Sequence, residues 1–141
     1  MLPEKSCTFT IIKPCAVKSG YIGAILTDIQ KCGFEISAMK YLQMTPEQAA
    51  MFYAVHKESP FYGDLVKFMS SGPVVVAILK RENAVLEYRK LIGATNPANA
   101  AEGTIRKKYA TNMQQNAVHG SDCDESATIE CNFFFSQCER Y

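Results

Sequence analysis

Short apolar–polar alternations, helical-period stripes between them and one continuous aliphatic run predict an α+β fold built on an antiparallel sheet. Cys7, Phe9 and Ile11 alternate with Thr8 and Thr10, and Phe34, Ile36 and Ala38 alternate again, the period of a strand. Ile22, Ile25, Leu26 and Ile29 fall at i, i+3, i+4 and i+7, which is one face of a helix. Residues 74–79 are β-branched or apolar throughout and too few for a helix of ordinary length, so they read as a central buried strand. The resulting order is β-α-β, two helices, β-α, loop, β-α. It fits a ferredoxin-like four-stranded antiparallel sheet, a split βαβ unit, with an inserted helical pair.

The punctuation between these elements supports the assignment. Gly33 closes the first helix as a C-terminal glycine. Thr45-Pro46-Glu47-Gln48 offers an N-cap, a proline at the first helical position and a capping-box glutamine. Ser59-Pro60 repeats the cap-then-proline device, and Phe61, Leu65, Phe68 and Met69 would form the apolar face of the helix that follows. Gly72-Pro73 stops it. Asn83 is placed to cap a helix that runs to Ile92 and ends at Gly93. Residues 94–103 have little periodicity and form a loop long enough to suggest function. A helical turn is predicted at 104–109 and a last short strand at 116–119. Asp122, with Glu125 three residues on, predicts a capped final helix.

A length of 141 residues implies one domain over 1–141. With 48% apolar and 21% charged residues the chain is globular, and it can bury a core without disulfides or a structural metal. A net charge of +1 argues against a coat on nucleic acid or anionic membrane, and no stable nucleic-acid binding is expected. The chain has two histidines, too few for a His-rich metal site. The six cysteines include no Cys-x-x-Cys pair, which favours reduced, mostly structural thiols over a disulfide framework. The first five residues lack the apolar core of a signal peptide, and the six-residue run at 74–79 is too short to span a bilayer. A cytoplasmic protein is expected.

Histidine 119 ends the predicted last strand and is followed by Gly120-Ser121-Asp122. Gly120 would leave room beside the imidazole for a bulky group. A histidine becomes a nucleophile when a carboxylate or carbonyl fixes its tautomer. Glu130 lies about two helical turns along the helix that starts nearby, although spacing alone leaves it equally readable as a solvated surface glutamate. Charge is unevenly spread: residues 81–120 carry six Lys or Arg against three acids, and residues 121–141 carry one against five. Lys13, Arg89 and Arg106 each stand beside a turn or loop, a placement that suits a polyphosphate, because guanidinium groups fork onto phosphate oxygens and lysine acts as a point charge. Taken singly, each reads better as an ordinary surface cation. P-loop, Rossmann and protein-kinase signatures are absent, so nucleotide chemistry here would rest on side chains instead of a glycine cradle.

Asn116-Ala117-Val118-His119-Gly120-Ser121-Asp122 resembles the active-site signature of nucleoside diphosphate kinases. Thr10-Ile11-Ile12-Lys13-Pro14, residues 34–40, Ser59-Pro60-Phe61-Tyr62, Ser71-Gly72-Pro73-Val74, Gly93-Ala94-Thr95-Asn96-Pro97 and Gly103-Thr104-Ile105-Arg106 resemble other segments of that family, in the family's order, from about Lys5 to Phe135. The resemblance implies a ping-pong phosphotransferase that uses nucleoside triphosphates and diphosphates, with Mg²⁺ bound through the nucleotide phosphates and not by the protein directly. By position it implies that His119 is the nucleophile, that Glu130 orients its ring and that Ser121 sits close by. Lys13, Tyr53, Arg89, Thr95, Arg106 and Asn116 match phosphate- and sugar-contacting positions. Phe61 matches the aromatic that stacks on the base, with Leu65 near it, and the loop from Ala94 onward matches a nucleotide-covering loop. Stacking reads only a π-face, so broad base tolerance follows.

Two departures stand out. Cys15 follows Lys13-Pro14 where the family usually has aspartate, and Cys123 follows Asp122 where serine is common. The chain ends soon after Phe135, which resembles the shorter, bacterial type of the family. A homo-oligomer is implied, tetramer or hexamer. Two other readings compete: a catalytically silent nucleotide-sensing or interaction module of the same fold, and a ferredoxin-like nucleic-acid-binding domain. Retention of His119, Glu130 and the three cations argues against the first. The net charge of +1 and the lack of an aromatic-basic strand signature argue against the second.

Overall fold

The computed structural model describes residues 5–141, so the reading of the N-terminus, which rests mainly on residues 1–4, lies outside the described residues. Strands β1 (Lys5–Ile12), β2 (Glu35–Leu42), β3 (Val74–Glu82) and β4 (Val118–Gly120) form one antiparallel sheet in the order β2-β3-β1-β4. The predicted α+β class and four-stranded sheet are therefore present. Residues 74–79 occupy the interior strand β3, all buried, as their composition requires.

Helices cover both sides of this sheet. α1 (Pro14–Lys18), α2 (Ile22–Lys31), α5 (Ala84–Ile92) and α6 (Ile105–Tyr109) pack on one face through Ile25, Ile29, Tyr88, Ile92 and Ile105. On the other face lie α3 (Pro46–Phe52), α4 (Tyr62–Met69) and α7 (Asp124–Phe134), with Phe9, Ile11, Met69, Val76 and Cys131 between them. The inserted helical pair thus covers the second face together with α7. The alternation in β1 marks no wet side, since Thr8 and Thr10 are as fully buried as Phe9 and Ile11.

Several local expectations are corrected. Helix α1, with Pro14 in its first turn, precedes the predicted first helix and was missed because its five residues carry no full apolar stripe. The alternation in β2 breaks at a bulge, because Ile36 faces Leu79 and Ala38 faces Ile78, leaving Ser37 extra. The Thr45 capping box forms as written, with Gln48 N donating to Thr45 Oγ1 at 3.1 Å and Thr45 N to Gln48 Oε1 at 2.9 Å. By contrast, Ser59 Oγ accepts only from Phe61 N, α4 starts at Tyr62, and Phe61 stands 73% exposed instead of joining the apolar face. Asn83 adopts a left-handed conformation with φ 53° and does not cap α5 through its side chain; Ser6 Oγ accepts the Ala84 N–H at 2.9 Å in its place.

The C-terminal third shifts similarly. Ala117 sits at φ 74°, which delays β4 to Val118–Gly120. The N-cap of α7 is Cys123, whose Sγ accepts from Ser126 N, and not Asp122. Gly120 does not open space beside the imidazole. A Cβ there would lie 3.0 Å from Ile92 Cδ1 and 3.1 Å from Tyr88 Cδ2, so the glycine lets β4 close onto α5. Residues 94–103 contain a 3-10 turn, Pro97–Asn99, with Asn96 Oδ1 accepting from Ala98 N. All six cysteines are free thiols, but only Cys131 is buried, so most are not core residues. Among the described residues no helix is long and apolar enough to cross a membrane.

Candidate active site

Strand β4 pairs with β1 so that His119 lies opposite Ile11, which puts the imidazole on the α7 face of the sheet. There its Nε2 lies 2.8 Å from Glu130 Oε1 of α7. Ser121 Oγ donates to the same oxygen at 2.7 Å and accepts from Phe9 N at 3.2 Å. An ionised carboxylate is only an acceptor, so the ring nitrogen facing it carries the proton and Nδ1 keeps its lone pair. Phe9, Phe52 and Tyr53 surround the ring at centroid distances of 6.1, 5.5 and 6.2 Å. These apolar walls fix the imidazole plane while leaving its side chain 18% exposed.

A cationic group lies beside it. Lys13 leaves β1 with its N–H bonded to Ala117 O at 2.9 Å, and its Nζ donates to Asn116 Oδ1 at 2.7 Å. Asn116 Nδ2 reaches Thr95 O at 3.5 Å, tying this pair to the 94–103 loop. Arg106, from α6, donates to Gly93 O and, through Nη2, to Val118 O at 2.9 Å, immediately before His119. Both cations are buried. Loss of hydration and the Arg106 charge push Lys13 down to about 8, partly offset by Cys15. Burial also lowers Arg106. Tyr53 is buried beside the ring, and loss of hydration raises its hydroxyl well above the usual tyrosine range. The Tyr53 hydroxyl and Arg106 Nε are buried without a hydrogen-bond partner, one in each of these neighbourhoods.

The structure therefore gathers His119, Glu130, Ser121 and Tyr53 into one cluster and Lys13, Asn116, Arg106 and the Thr95 carbonyl into an adjoining one. Arg89 is exposed at the end of α5; its charge acts on both Arg106 and Asp122, but it holds no hydrogen bond to either cluster. Phe61, the residue before α4, is exposed, and Leu65 of α4 is half-buried. A surface groove of about 760 Å³ around Pro14, Lys18 and Ser71 does not include His119. Sequence reasoning missed Phe52, whose ring packs on the imidazole, and Thr10, whose hydroxyl donates to His119 O at 2.8 Å. Neither carried a local signal, because each meets His119 only through the tertiary fold.

The nucleoside diphosphate kinase family model matches residues 6–140. The chain belongs to that family. Family members similar to it include the nucleoside diphosphate kinase of Flavobacterium psychrophilum, 58% identical over 95% of this chain and 96% of the relative. That of Lawsonia intracellularis is 59% identical over 94% and 96%. Among solved structures, the Aquifex aeolicus nucleoside diphosphate kinase superposes with a TM-score of 0.96 at 43% identity, covering 98% of this chain and all of the other. The Halobacterium salinarum enzyme, solved in complex with CDP, gives 0.94 at 34% identity over 98% and 92%. The ferredoxin-like sheet is thus the fold of solved nucleoside diphosphate kinases, and the chain is an enzyme of a kinase family.

Proposed function

We propose that this chain, as one nucleoside diphosphate kinase-like domain, moves the γ-phosphate of a nucleoside triphosphate to a nucleoside diphosphate through a phosphohistidine on His119. The observation that carries the reading is the Glu130 carboxylate held between Ser121 Oγ and His119 Nε2, which leaves Nδ1 free to attack. In the first half-reaction the Nδ1 lone pair forms a bond to the γ-phosphorus while the bond to the β–γ bridging oxygen breaks, and the diphosphate leaves with that electron pair. In the second, a β-phosphate oxygen of another diphosphate attacks, the P–N bond breaks, and neutral imidazole returns. Glu130 keeps the Nε2 proton in place and stabilises the positive ring.

Phosphoryl transfer depends on positioning and on charge stabilisation. Lys13, Arg106 and the unpartnered Tyr53 hydroxyl would hold phosphate oxygens, and Arg89 would complete the positive field. Asn116 and Thr95 would meet the phosphates or sugar, and Phe61, with Leu65 beside it, would stack on the base without reading its edge. Mg²⁺ is proposed to be held by the nucleotide's phosphates, where it would neutralise part of their charge.

A homo-oligomer in a reducing cytoplasm completes the proposal. In its support, β2 is an edge strand that exposes Met39 and Tyr41, and all six thiols are free. The test is intact mass after incubation with ATP and Mg²⁺. One acid-labile phosphate should appear and be removed by GDP or CDP alike, and His119→Ala should not label. A wild-type protein that binds ATP but never labels would favour the silent-module alternative.

A further inference from the structure

The imidazole is held from its own face by Glu130 and Ser121, but its backbone is held from the opposite face of the sheet. Thr10 lies on the α5 side, where its Oγ1 donates to His119 O at 2.8 Å. The same Oγ1 is 2.6 Å from the Tyr88 hydroxyl of α5. Threonine has one hydroxyl proton, and it is committed to the His119 carbonyl, so Tyr88 must be the donor in the second bond. The result is a directed chain, from Tyr88 hydroxyl to Thr10 hydroxyl to the carbonyl of His119. Both side chains are wholly buried, so water does not substitute for either bond.

Tyr88 also lies directly under the nucleophile strand. Its ring would be 3.1 Å from any Cβ at position 120, and the missing side chain of Gly120 is what admits it. Helix α5 meanwhile carries Arg89 next to Tyr88 and ends at Gly93, whose carbonyl accepts from Arg106. One helix therefore touches both the backbone of His119 and the cationic group.

The geometry points to Tyr88 and Thr10 as positioning residues that set the height and tilt of His119 through its main chain, an inference that rests on the phosphohistidine reading above. A histidine side chain swings about its own Cα. Fixing the carbonyl of that residue fixes the Cα–Cβ direction from which Nδ1 must meet the γ-phosphorus in line. Glu130 sets the rotation of the ring, and the Tyr88–Thr10 chain sets its origin.

The test is single-turnover phosphorylation of His119 by ATP and Mg²⁺, with rate and apparent nucleotide affinity separated and rates normalised to burst amplitude. Thr10→Val should slow the phosphorylation step about 10-fold and leave affinity within about twofold. Thr10→Ser, which restores the hydroxyl, should recover most of the rate. Tyr88→Phe, which removes one oxygen and creates no cavity, should slow the step about threefold. The double variant Thr10→Val/Tyr88→Phe should be no slower than Thr10→Val alone, because the two act in series. A Thr10→Ser variant as slow as Thr10→Val, or Tyr88→Phe and Thr10→Val both at the wild-type rate, would overturn the assignment. The His119 ring resonances, followed by NMR without nucleotide, should shift in Thr10→Val and return in Thr10→Ser. That arm reads the positioning role even if the wild type forms no phosphoenzyme, a result that would overturn only the phosphohistidine reading.

Discussion

Replacing Lys13 by methionine should make the ligand-free protein more stable at neutral pH while removing a proposed phosphate contact. Lys13 is buried, with loss of hydration as the main cause of its depressed pKa, about 8 against an ordinary 10.5. At ~1.4 kcal/mol for each tenfold change in proton affinity, keeping it charged costs the fold about 3 kcal/mol relative to a neutral amine. Methionine avoids that cost but loses the 2.7 Å charge-assisted bond to Asn116, worth about 2 kcal/mol. Lys13→Met should then be about 1 kcal/mol more stable than wild type at pH 7. Between pH 8 and 10.5 the unfolded lysine holds its proton while the folded one has released it, so wild-type stability gains with rising pH relative to the variant. The advantage of Lys13→Met should shrink through that window and reverse in its lower half. Urea melts of both proteins at intervals from pH 6.5 to 10 measure this directly, and differencing the two curves cancels the other titrating groups. A stability difference that stays flat across the window, or favours wild type at pH 7, would refute the argument that the site keeps a buried charge at the expense of the fold.

Three further outcomes follow from the same geometry. Glu130→Gln should keep the fold but weaken control of the tautomer and of the ring charge, slowing His119 phosphorylation about 100-fold with little change in nucleotide affinity; stopped-flow fluorescence with separate binding and transfer phases checks this. Phe61→Ala, at a 73% exposed position, should raise KM for purine and pyrimidine nucleotides alike and leave the melting temperature within about 1 °C; steady-state kinetics with four bases read it. Cys123→Ser replaces a long sulfur cap, 3.5 Å from Ser126 N, with a better acceptor and should stabilise the protein by about 0.5–1 kcal/mol in thermal melts.

Features written within a few residues were readable from sequence. The Thr45 box, the buried run in β3 and the stripe of α2 each depend on neighbours in the chain, and each formed as expected. Where a long-range partner outbid the local one, the reading shifted. Asn83 gave up its cap to Ser6, which arrives from β1. Gly120 is small because Tyr88 and Ile92 press on it, and not to clear the imidazole. Asp122 lost the α7 cap to its neighbour because the chain stays extended through Cys123. The site residues themselves were legible chiefly through resemblance. Composition and spacing picked out His119 and the uneven charge, but left Glu130 equally readable as a surface glutamate, and only the fold brings its oxygen to 2.8 Å from the ring.

A net charge of +1 and a polyphosphate partner are compatible because of where the charges sit. Salt screens exposed charges beyond about 10 Å, while buried ones are screened much less. Lys13 and Arg106 are buried and hydrogen-bonded to Asn116 and to Val118, just before His119, so their charges are screened less by salt than the exposed ones. The same burial lowers both pKa values, which shows that the charges are held against a desolvation cost. On the proposed reading, a phosphate entering the site would relieve that cost by pairing with them. The proposed site would then attract a polyphosphate that enters it, while a net charge of +1 gives an extended polyanion little overall attraction.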